Sequence, residues 1–309
     1  MVALAGGVGA ARFLAGLARV LLPERIVVIG NTGDDAEIHG LHISPDLDTV
    51  TYTLAGLADP QRGWGIQRDT FHALDALRRL GAETWFQLGD CDLGTHLYRT
   101  ERLRQGAALS RVTAEIATAL GVRVTLLPMS EGRVRTRIGT PRGELEFQTY
   151  FVKRRARDKV TGIRFEGAEQ AAPAAGVLEA IREAQAIIVC PSNPFISMGP
   201  ILAIPGIRVA LQQRRAAVAA ISPIIAGRAL KGPAAAMMRS MKLKPAAAEV
   251  ARLYEDFVGI FVLDNADRKQ AGAVQALGMR PVVTNTIMRG VRERQALART
   301  VVRELGLTA

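Results

Sequence analysis

Short apolar runs alternate with helical segments along most of the chain. Residues 2–5 are all apolar, as in a buried strand, and apolar side chains then recur at helical spacing, at Phe13, Leu14, Leu17 and Leu21. A β-branched run at 26–29 completes a strand–helix–strand unit, which predicts parallel pairing of its two strands. The second half repeats this alternation, with strands predicted at 186–190, 216–221, 260–263 and 281–284. The pattern predicts an α/β fold built on a mostly parallel sheet.

The middle of the chain, at about 130–170, breaks this alternation. Glu144-Leu145-Glu146-Phe147 alternates polar and apolar residues, and Pro141-Arg142-Gly143 and Thr161-Gly162 are turn signals. These features predict a small antiparallel insertion. Such an insertion could act as a lid over a site or form the surface of a homodimer.

Polar residues follow the predicted strands of the parallel sheet, at Asn31, Ser192, Asn193, Ser222, Asp264 and Asn285. Open α/β sheets bind ligands at the carboxyl ends of their strands, where these residues would gather. The row therefore predicts a small-molecule site. Ser192 and Asn193 lie between two prolines, and Lys231 begins a Lys-Gly-Pro-Ala segment. These stiff loops could grip a nucleotide or could be plain turns.

The segment after the first strand is rich in glycine, at Gly6, Gly7 and Gly9. Glycine lets the backbone approach a phosphate closely, and the N-terminus of the following helix favours anions. Arg12 could add a guanidinium to this predicted phosphate site; a tight turn and a surface arginine are the alternatives. The dinucleotide fingerprint matches poorly, because Arg12 stands at its third glycine position and Asn31 at the position of its acidic residue. A nicotinamide oxidoreductase is therefore disfavoured.

Two pairs of carboxylates come soon after the second strand: Asp34 with Asp35, and Asp46 with Asp48. We expect Asp46 and Asp48 to lie in an extended stretch, where residues two apart point the same way. Hard oxygen ligands beside a phosphate are what Mg2+ requires, and either aspartate could assist the chemistry as a base. The alternative is a structural role, with Asp48 as a helix cap.

Composition narrows the class of ligand. The chain of 309 residues carries a net charge of +11, which suits anionic partners. Aromatic residues make up 5%, and no segment interleaves them with Lys and Arg, so nucleic acid is not expected as a partner. Trp64, between glycines, could offer a flat face to a ring or simply pack. No apolar run reaches the length of a membrane span, so we expect a cytoplasmic protein without a membrane partner.

Seven segments taken in order resemble the 2-phospho-L-lactate transferase family, which also includes members that use a phosphoenolpyruvate-derived donor. The resemblance covers nearly the whole chain. It is carried by Gly-Gly-Val-Gly-Ala-Ala-Arg at 6–12, Asn-Thr-Gly-Asp-Asp at 31–35, Ser-Pro-Asp-Leu-Asp-Thr at 44–49, Arg-Gly-Trp-Gly at 62–65, Pro-Ser-Asn-Pro at 191–194, Ser-Met-Gly-Pro-Ile-Leu at 197–202 and Ser-Pro-Ile-Ile at 222–225.

This resemblance implies a single Rossmann-like α/β domain over residues 1–309 and a Mg2+-dependent phosphotransferase of coenzyme F(420) biosynthesis. The donor would be a guanosine-diphosphate-linked phospho-acid, carrying 2-phospho-L-lactate or a phosphoenolpyruvate- or 3-phosphoglycerate-type acid. The acceptor would be the ribityl 5′-hydroxyl of 7,8-didemethyl-8-hydroxy-5-deazariboflavin, with release of GMP. The resemblance also implies that Asp48 lies at the metal and the deazaflavin and that Asp34 is a second metal ligand. Asp48→Asn is then expected to remove most of the activity and keep the fold.

The chain departs from the family at Cys91. Family members usually read Leu-Gly-Asp-Arg-Asp where this chain reads Leu-Gly-Asp-Cys-Asp, and the missing arginine is implied to contact the deazaflavin. A thiol cannot replace the planar donors of arginine, so acceptor affinity is in question.

A rival interpretation is a nucleotide-sugar-binding regulatory protein of a related family with the same core. Such relatives carry an Asp-Asp-Gly-Gly-Ser-Ser-Gly-like stretch after the second strand. This chain has Asp-Asp-Ala-Glu-Ile-His-Gly there, at 34–40, which favours the transferase.

Overall fold

A computed structural model of the chain describes residues 1–307. The strands are β1 (Val2–Ala5), β2 (Val27–Gly30), β3 (Ala36–Ile38), β4 (Leu41–Ile43), β5 (Thr125–Pro128), β6 (Arg135–Thr140), β7 (Gly143–Glu146), β8 (Gly162–Glu166), β9 (Ile187–Val189), β10 (Val218–Ile221), β11 (Ile224–Ile225), β12 (Arg228–Ala229), β13 (Ile260–Asp264) and β14 (Arg280–Thr284). The helices are α1 (Gly7–Leu17), α2 (Pro45–Leu54), α3 (His72–Arg79), α4 (Asp90–Arg104), α5 (Leu109–Ala119), α6 (Val177–Glu183), α7 (Gly199–Ala203), α8 (Ile207–Gln213), α9 (Ala234–Ser240), α10 (Ala247–Arg252), α11 (Ala271–Ala276) and α12 (Val291–Glu304).

The central sheet has seven strands in the order β14-β13-β10-β9-β1-β2-β5, and all of its pairings are parallel. The predicted α/β fold with a mostly parallel, Rossmann-like sheet is confirmed. From β1 the chain first builds outward through β2 to β5 and then returns to build β9 to β14 on the other side. The strand order therefore reverses between β1 and β9, and ligands of open α/β proteins bind beside such a reversal.

Helices cover both faces of the sheet because the side chains of each strand alternate between two cores. In β1, Val2 and Leu4 enter one core and Ala3 and Ala5 enter the other. The first core is completed by apolar side chains of α6, α8 and α10, and the second by those of α1, α2, α5 and α12. The sheet is thus buried on both sides, and only its edges and strand ends can carry a site.

The β-rich insertion is also confirmed. Strands β6, β7 and β8 form a three-stranded antiparallel sheet in the order β7-β6-β8, between 135 and 166. A short helical turn at Thr149–Lys153 connects β7 to β8.

Two local expectations are wrong. Helix α1 begins at Gly7, so the glycine-rich segment forms the first helical turn, and the helix ends at Leu17, before Leu21. Asp46 and Asp48 do not lie in an extended stretch; both belong to the first turns of α2, whose N-cap is Ser44 and whose first residue is Pro45. Asp48 is therefore not the helix cap.

No single helix within residues 1–307 is both long and apolar enough to cross a membrane. The segments Pro194–Ala203 and Ile207–Gln213, bent by 91°, reach that length and composition only as a pair.

Candidate active site

A cavity of about 530 Å³ lies at the carboxyl ends of β1 and β9, where the strand order reverses. Its walls come from the first turns of α1 and α2, the start of α4, the loop at 62–65, the turn after β7, and the loops that follow β9 and β10. Most of the residues predicted to bind substrate or metal or to assist the chemistry line it: Gly6, Gly7, Gly9, Arg12, Asp34, Asp46, Asp48, Trp64, Ser192, Asn193 and Lys231.

The glycines of the first turn are required by close packing. A Cβ on Gly6 would lie 2.7 Å from Asp46 Oδ2, and a Cβ on Gly9 would lie 2.3 Å from the carbonyl oxygen of Pro191. Gly7 has a φ of +74°, and its N–H donates to Asp46 Oδ1 over 2.8 Å. The start of α1 is thus held directly against α2 and the loop after β9, and its N-terminus faces the cavity.

Asn31 supports the site from behind. It is fully buried; its Nδ2 donates to Asp46 Oδ2 (2.8 Å) and to the carbonyl of Ile196 (3.2 Å), and its Oδ1 accepts from the N–H of Gly33 (2.8 Å). It is not among the residues that line the cavity. The Asn31 side chain therefore orients Asp46, and its contact with substrate stays a prediction.

Asp34 and Asp46 form a buried acidic pair on the cavity wall. Burial raises the pKa of Asp34 well above its usual range, and the charge of Asp46 adds to the rise. Burial also raises the pKa of Asp46 to about 6, despite hydrogen bonds from Asn31 and Gly7 that oppose the shift. Asp34 Oδ1 is buried, and within residues 1–307 it has no hydrogen-bond partner. Such a pair is costly unless a cation or a proton shares it.

Asp48 lies on the same wall, but it is paired with an arginine. It forms a bidentate ion pair with Arg99 of α4. Arg99 Nη2 donates to Asp48 Oδ1, and Arg99 Nη1 donates to Asp48 Oδ2 over 3.1 Å. Arg99 is 2% exposed and Asp48 is 5% exposed. A bidentate, buried pair of this kind fixes the carboxylate in orientation.

Tyr52, Asp92 and His96 also line the cavity, and the sequence assigned no role to them. The Tyr52 hydroxyl donates to Asp92 Oδ1 over 2.7 Å, and His96 Nε2 lies 3.1 Å from the same oxygen. His96 Nδ1 lies 3.3 Å from Arg99 Nη1. A sequence signal did exist, because Asp92, His96 and Arg99 fall at i, i+4 and i+7, on one face of α4.

Two cationic side chains lie in the cavity wall beside the start of α1. Arg12 and Lys231 both line the cavity, and burial together with the charge of Arg12 lowers the pKa of Lys231. Lys231 Nζ donates to the backbone carbonyl of Arg62 over 3.0 Å. The Arg62 guanidinium in turn lies 5.6 Å from the centre of the Trp64 ring, which is 40% exposed. The loop at 62–65 and the Lys231 loop therefore meet over α1.

The strand-end row is confirmed in part as cavity wall: Ser192, Asn193 and Ser222 line the cavity, whereas Asn31, Asp264 and Asn285 do not. Ser192 Oγ is buried and has no hydrogen-bond partner within residues 1–307, and Thr286 also faces the cavity. Asp264 does not line it; its Oδ2 accepts from the N–H and the hydroxyl of Thr286 and so fixes that residue. Asn193 uses its Oδ1 to cap the helical turn at Pro194–Met198, which makes it at least partly structural.

Cys91, like Asn31, is a predicted substrate contact that does not line the cavity. Its side chain is exposed. Its N–H donates to Asp69 Oδ1 over 2.8 Å, at the start of α4. The neighbouring Asp90 accepts the N–H groups of His72 and Ala73 and so caps the start of α3.

Aromatic side chains line another part of the wall. Phe147 and Phe151, both from the insertion, stack with their ring centres 5.3 Å apart, and Phe86 and Trp64 also face the cavity. Flat rings of this kind suit a planar, partly apolar ligand.

Comparison with known proteins settles the family. The family model described as 2-phospho-L-lactate transferase CofD matches residues 1–302. The chain belongs to this family. It is 36% identical over 302 residues to the 2-phospho-L-lactate transferase of Methanosarcina mazei, covering 98% of this chain and 99% of that protein. It is 42% identical over 305 residues to the phosphoenolpyruvate transferase of Streptomyces griseus, covering 97% and 96%.

Family membership makes the chain an enzyme of the CofD transferase type and supports a phosphotransferase activity in coenzyme F(420) biosynthesis. Among solved structures, a UPF0052 family protein from Bacillus halodurans has a TM-score of 0.66 with this chain at 18% identity, covering 97% of this chain and 98% of that one. That likeness concerns the fold alone.

Proposed function

We propose that this member of the family transfers a phospho-acid from a guanosine-diphosphate-linked donor to the ribityl 5′-hydroxyl of a deazaflavin and releases GMP. The observation that carries the proposal is the combination, in one cavity, of a cationic region at the N-terminus of α1 with buried carboxylates and flat aromatic faces. The cationic region would bind the diphosphate, the carboxylates would serve the transfer, and the aromatic faces would hold the deazaflavin ring.

The cationic region is the proposed donor site. A diphosphate carries negative charge that the N-terminus of α1 stabilises, and Arg12 and Lys231 add two side-chain cations. Ser192 Oγ has no partner in the described protein and can bind a phosphate or ribose oxygen. Neutralisation and fixed positioning are the main requirements of phosphoryl transfer, because the protein has little covalent chemistry to perform.

The aromatic wall is the proposed acceptor site. Trp64, Phe86, Phe147 and Phe151 offer ring faces, and two of them belong to the insertion. Ring stacking there would hold the deazaflavin with its ribityl chain directed toward the carboxylates. The printed names of the relatives include both phospholactate and phosphoenolpyruvate transferases, and the proposal covers either acid.

The carboxylates fit Mg2+ as the proposed cofactor. Asp34 Oδ1 is a buried oxygen without a hydrogen-bond partner within residues 1–307. Among the neighbouring carboxylates, Asp46 raises the pKa of Asp34 most through its charge. Asp48, expected as a metal ligand, is ion-paired through both oxygens with Arg99, whereas the donors to Asp46, Gly7 and Asn31, are uncharged. We therefore propose Asp34 with Asp46 as the holding pair. Within residues 1–307 no group of three or more metal-binding side chains occurs, so phosphate and water oxygens would complete the shell. When bound, Mg2+ would neutralise charge on the diphosphate.

Mg2+ binding should weaken as the pH falls below about 6. The pKa of Asp46 is raised to about 6, so above that pH the carboxylate is ionised and below it a proton competes with the metal. We expect the rise in melting temperature caused by Mg2+ to be full at pH 7.5 and the apparent affinity to fall about tenfold per pH unit below 6. Asp34→Asn should abolish the rise, whereas the exposed Asp75→Asn should keep it. A rise that survives in Asp34→Asn would exclude this pair.

Calorimetry with nucleotides tests the donor site and the rival function together. We expect GDP to bind more tightly than UDP-glucose or NAD, and Arg12→Ala to weaken GDP by about tenfold, the loss of one charge-assisted hydrogen bond. Arg25→Ala, another surface arginine, is the matched control and should leave GDP binding unchanged. Equal or tighter binding of UDP-glucose would favour the nucleotide-sugar-binding alternative.

A further inference from the structure

The carboxylates that line the cavity differ in which of their oxygens are free. Asp46 accepts a hydrogen bond on each oxygen, from Gly7 and from Asn31, and both oxygens of Asp48 are bound by Arg99. Asp34 has a free oxygen but sits in the pair to which Mg2+ is assigned above. Asp92 is the remaining carboxylate on the wall.

Asp92 is anchored on one oxygen only. Its Oδ1 accepts the Tyr52 hydroxyl at 2.7 Å and lies 3.1 Å from His96 Nε2. Within residues 1–307 no donor occupies Oδ2, and the residue lines the cavity with 11% of its side chain exposed. The carboxylate is therefore held in a fixed orientation with its second oxygen available to a ligand.

The neighbours of Asp92 fix its geometry. Arg99 can only donate, so His96 Nδ1 accepts from it, and this contact orients the ring whose Nε2 lies 3.1 Å from Asp92 Oδ1. The N–H of Asp92 itself donates to Asp69 Oδ2 over 3.1 Å, in the first turn of α4. A carboxylate at a helix N-terminus is stabilised by the helix dipole.

We propose that Asp92 Oδ2 accepts the proton of the attacking hydroxyl of the acceptor. The inference rests on the proposed function. The hydroxyl oxygen donates an electron pair to the phosphorus that bears the acid, and the new O–P bond forms as the P–O bond to GMP breaks. The electron pair of that bond leaves on the GMP phosphate oxygen. The hydroxyl proton passes to Asp92, which returns it to water after the products leave.

The test compares Asp92→Asn with wild type in the transfer of the phospho-acid from the GDP-linked donor to the deazaflavin. General-base assistance accounts for about 10²- to 10⁴-fold in rate, so kcat should fall by that factor while the KM for deazaflavin changes less than about threefold. Asp92→Glu keeps a carboxylate and should recover part of the rate. Tyr52→Phe removes only the bond to Oδ1 and should cost about three- to tenfold. Glu101→Gln, on the exposed side of the same helix, is the charge-matched control and should behave as wild type.

A second acceptor separates base catalysis from a structural role. A ribityl chain with fluorine next to the 5′-hydroxyl makes that hydroxyl more acidic, so the defect of Asp92→Asn should shrink with it. An equal defect with both acceptors, or a wild-type kcat in Asp92→Asn, would overturn the role of Asp92 alone. Absence of any transfer product with the wild-type enzyme would instead overturn the proposed function.

Discussion

Asp48→Asn should both destabilise the protein and abolish most of its activity. The substitution leaves Arg99 buried and charged without its carboxylate, and breaking a buried pair in this way costs about 3–5 kcal/mol. The expectation from sequence, that the fold would be kept, is thus revised by the buried ion pair. Thermal and urea unfolding measure the first effect, and the rate of GMP release with both substrates measures the second.

A double variant separates the two effects. Replacing both partners, as Asp48→Asn with Arg99→Met, removes the unpaired charge and should recover a large part of the lost stability. Activity should not return, because the fixed carboxylate on the cavity wall is still missing. If the double variant regained activity together with stability, Asp48 would be a structural residue only.

Gly9→Ala should lower kcat/KM by about 100-fold or more, the usual cost of displacing binding groups by about an ångström. The new methyl group would lie 2.3 Å from the carbonyl oxygen of Pro191, which is backbone and cannot rotate away. Helix α1 and the loop carrying Ser192 must then move apart, and both line the cavity. Overpacking of this kind also costs about 1–3 kcal/mol of stability, measured by urea unfolding.

Gly94→Ala is the matched control. Gly94 lies on the exposed face of α4, and a Cβ there would meet no atom within 4 Å. Alanine favours the helix over glycine by about 1 kcal/mol, so this variant should be slightly more stable than wild type and fully active. Wild-type affinity and stability in Gly9→Ala would mean that the close approach of α1 to the loop after β9 is not needed.

Most of the central sheet was predictable from local pattern, because most of its strands are short apolar runs that are followed by polar residues. The exceptions are β1, which is followed by glycines, and β5, which was not predicted and is followed by Met129. The same pattern located the site, since the carboxyl ends of parallel strands meet at one edge. The error at Asp46 and Asp48 has a local cause. Ser44-Pro45 is a helix start, with proline at the first helical position, and this signal was outweighed by the expectation of an extended stretch.

The polar network on the wall could not be predicted in the same way. Asp48 and Tyr52 of α2 meet Arg99 and Asp92 of α4 only because these two helices pack together, and about forty to fifty residues separate the partners. Asn31 shows a further limit: its place at a strand end was correct, but its side chain turns into the protein toward Asp46. The direction of a side chain depends on neighbours that are distant in sequence.

The most direct test of the proposed reaction is a product assay. The enzyme is incubated with Mg2+, 7,8-didemethyl-8-hydroxy-5-deazariboflavin and a GDP-linked phospho-acid, either phosphoenolpyruvate or 2-phospho-L-lactate, and products are identified by mass spectrometry. The proposal predicts deazaflavin carrying the phospho-acid on its 5′-oxygen, together with an equal amount of GMP. Release of GMP without a deazaflavin product, or attachment of the nucleotide itself to the deazaflavin, would contradict it.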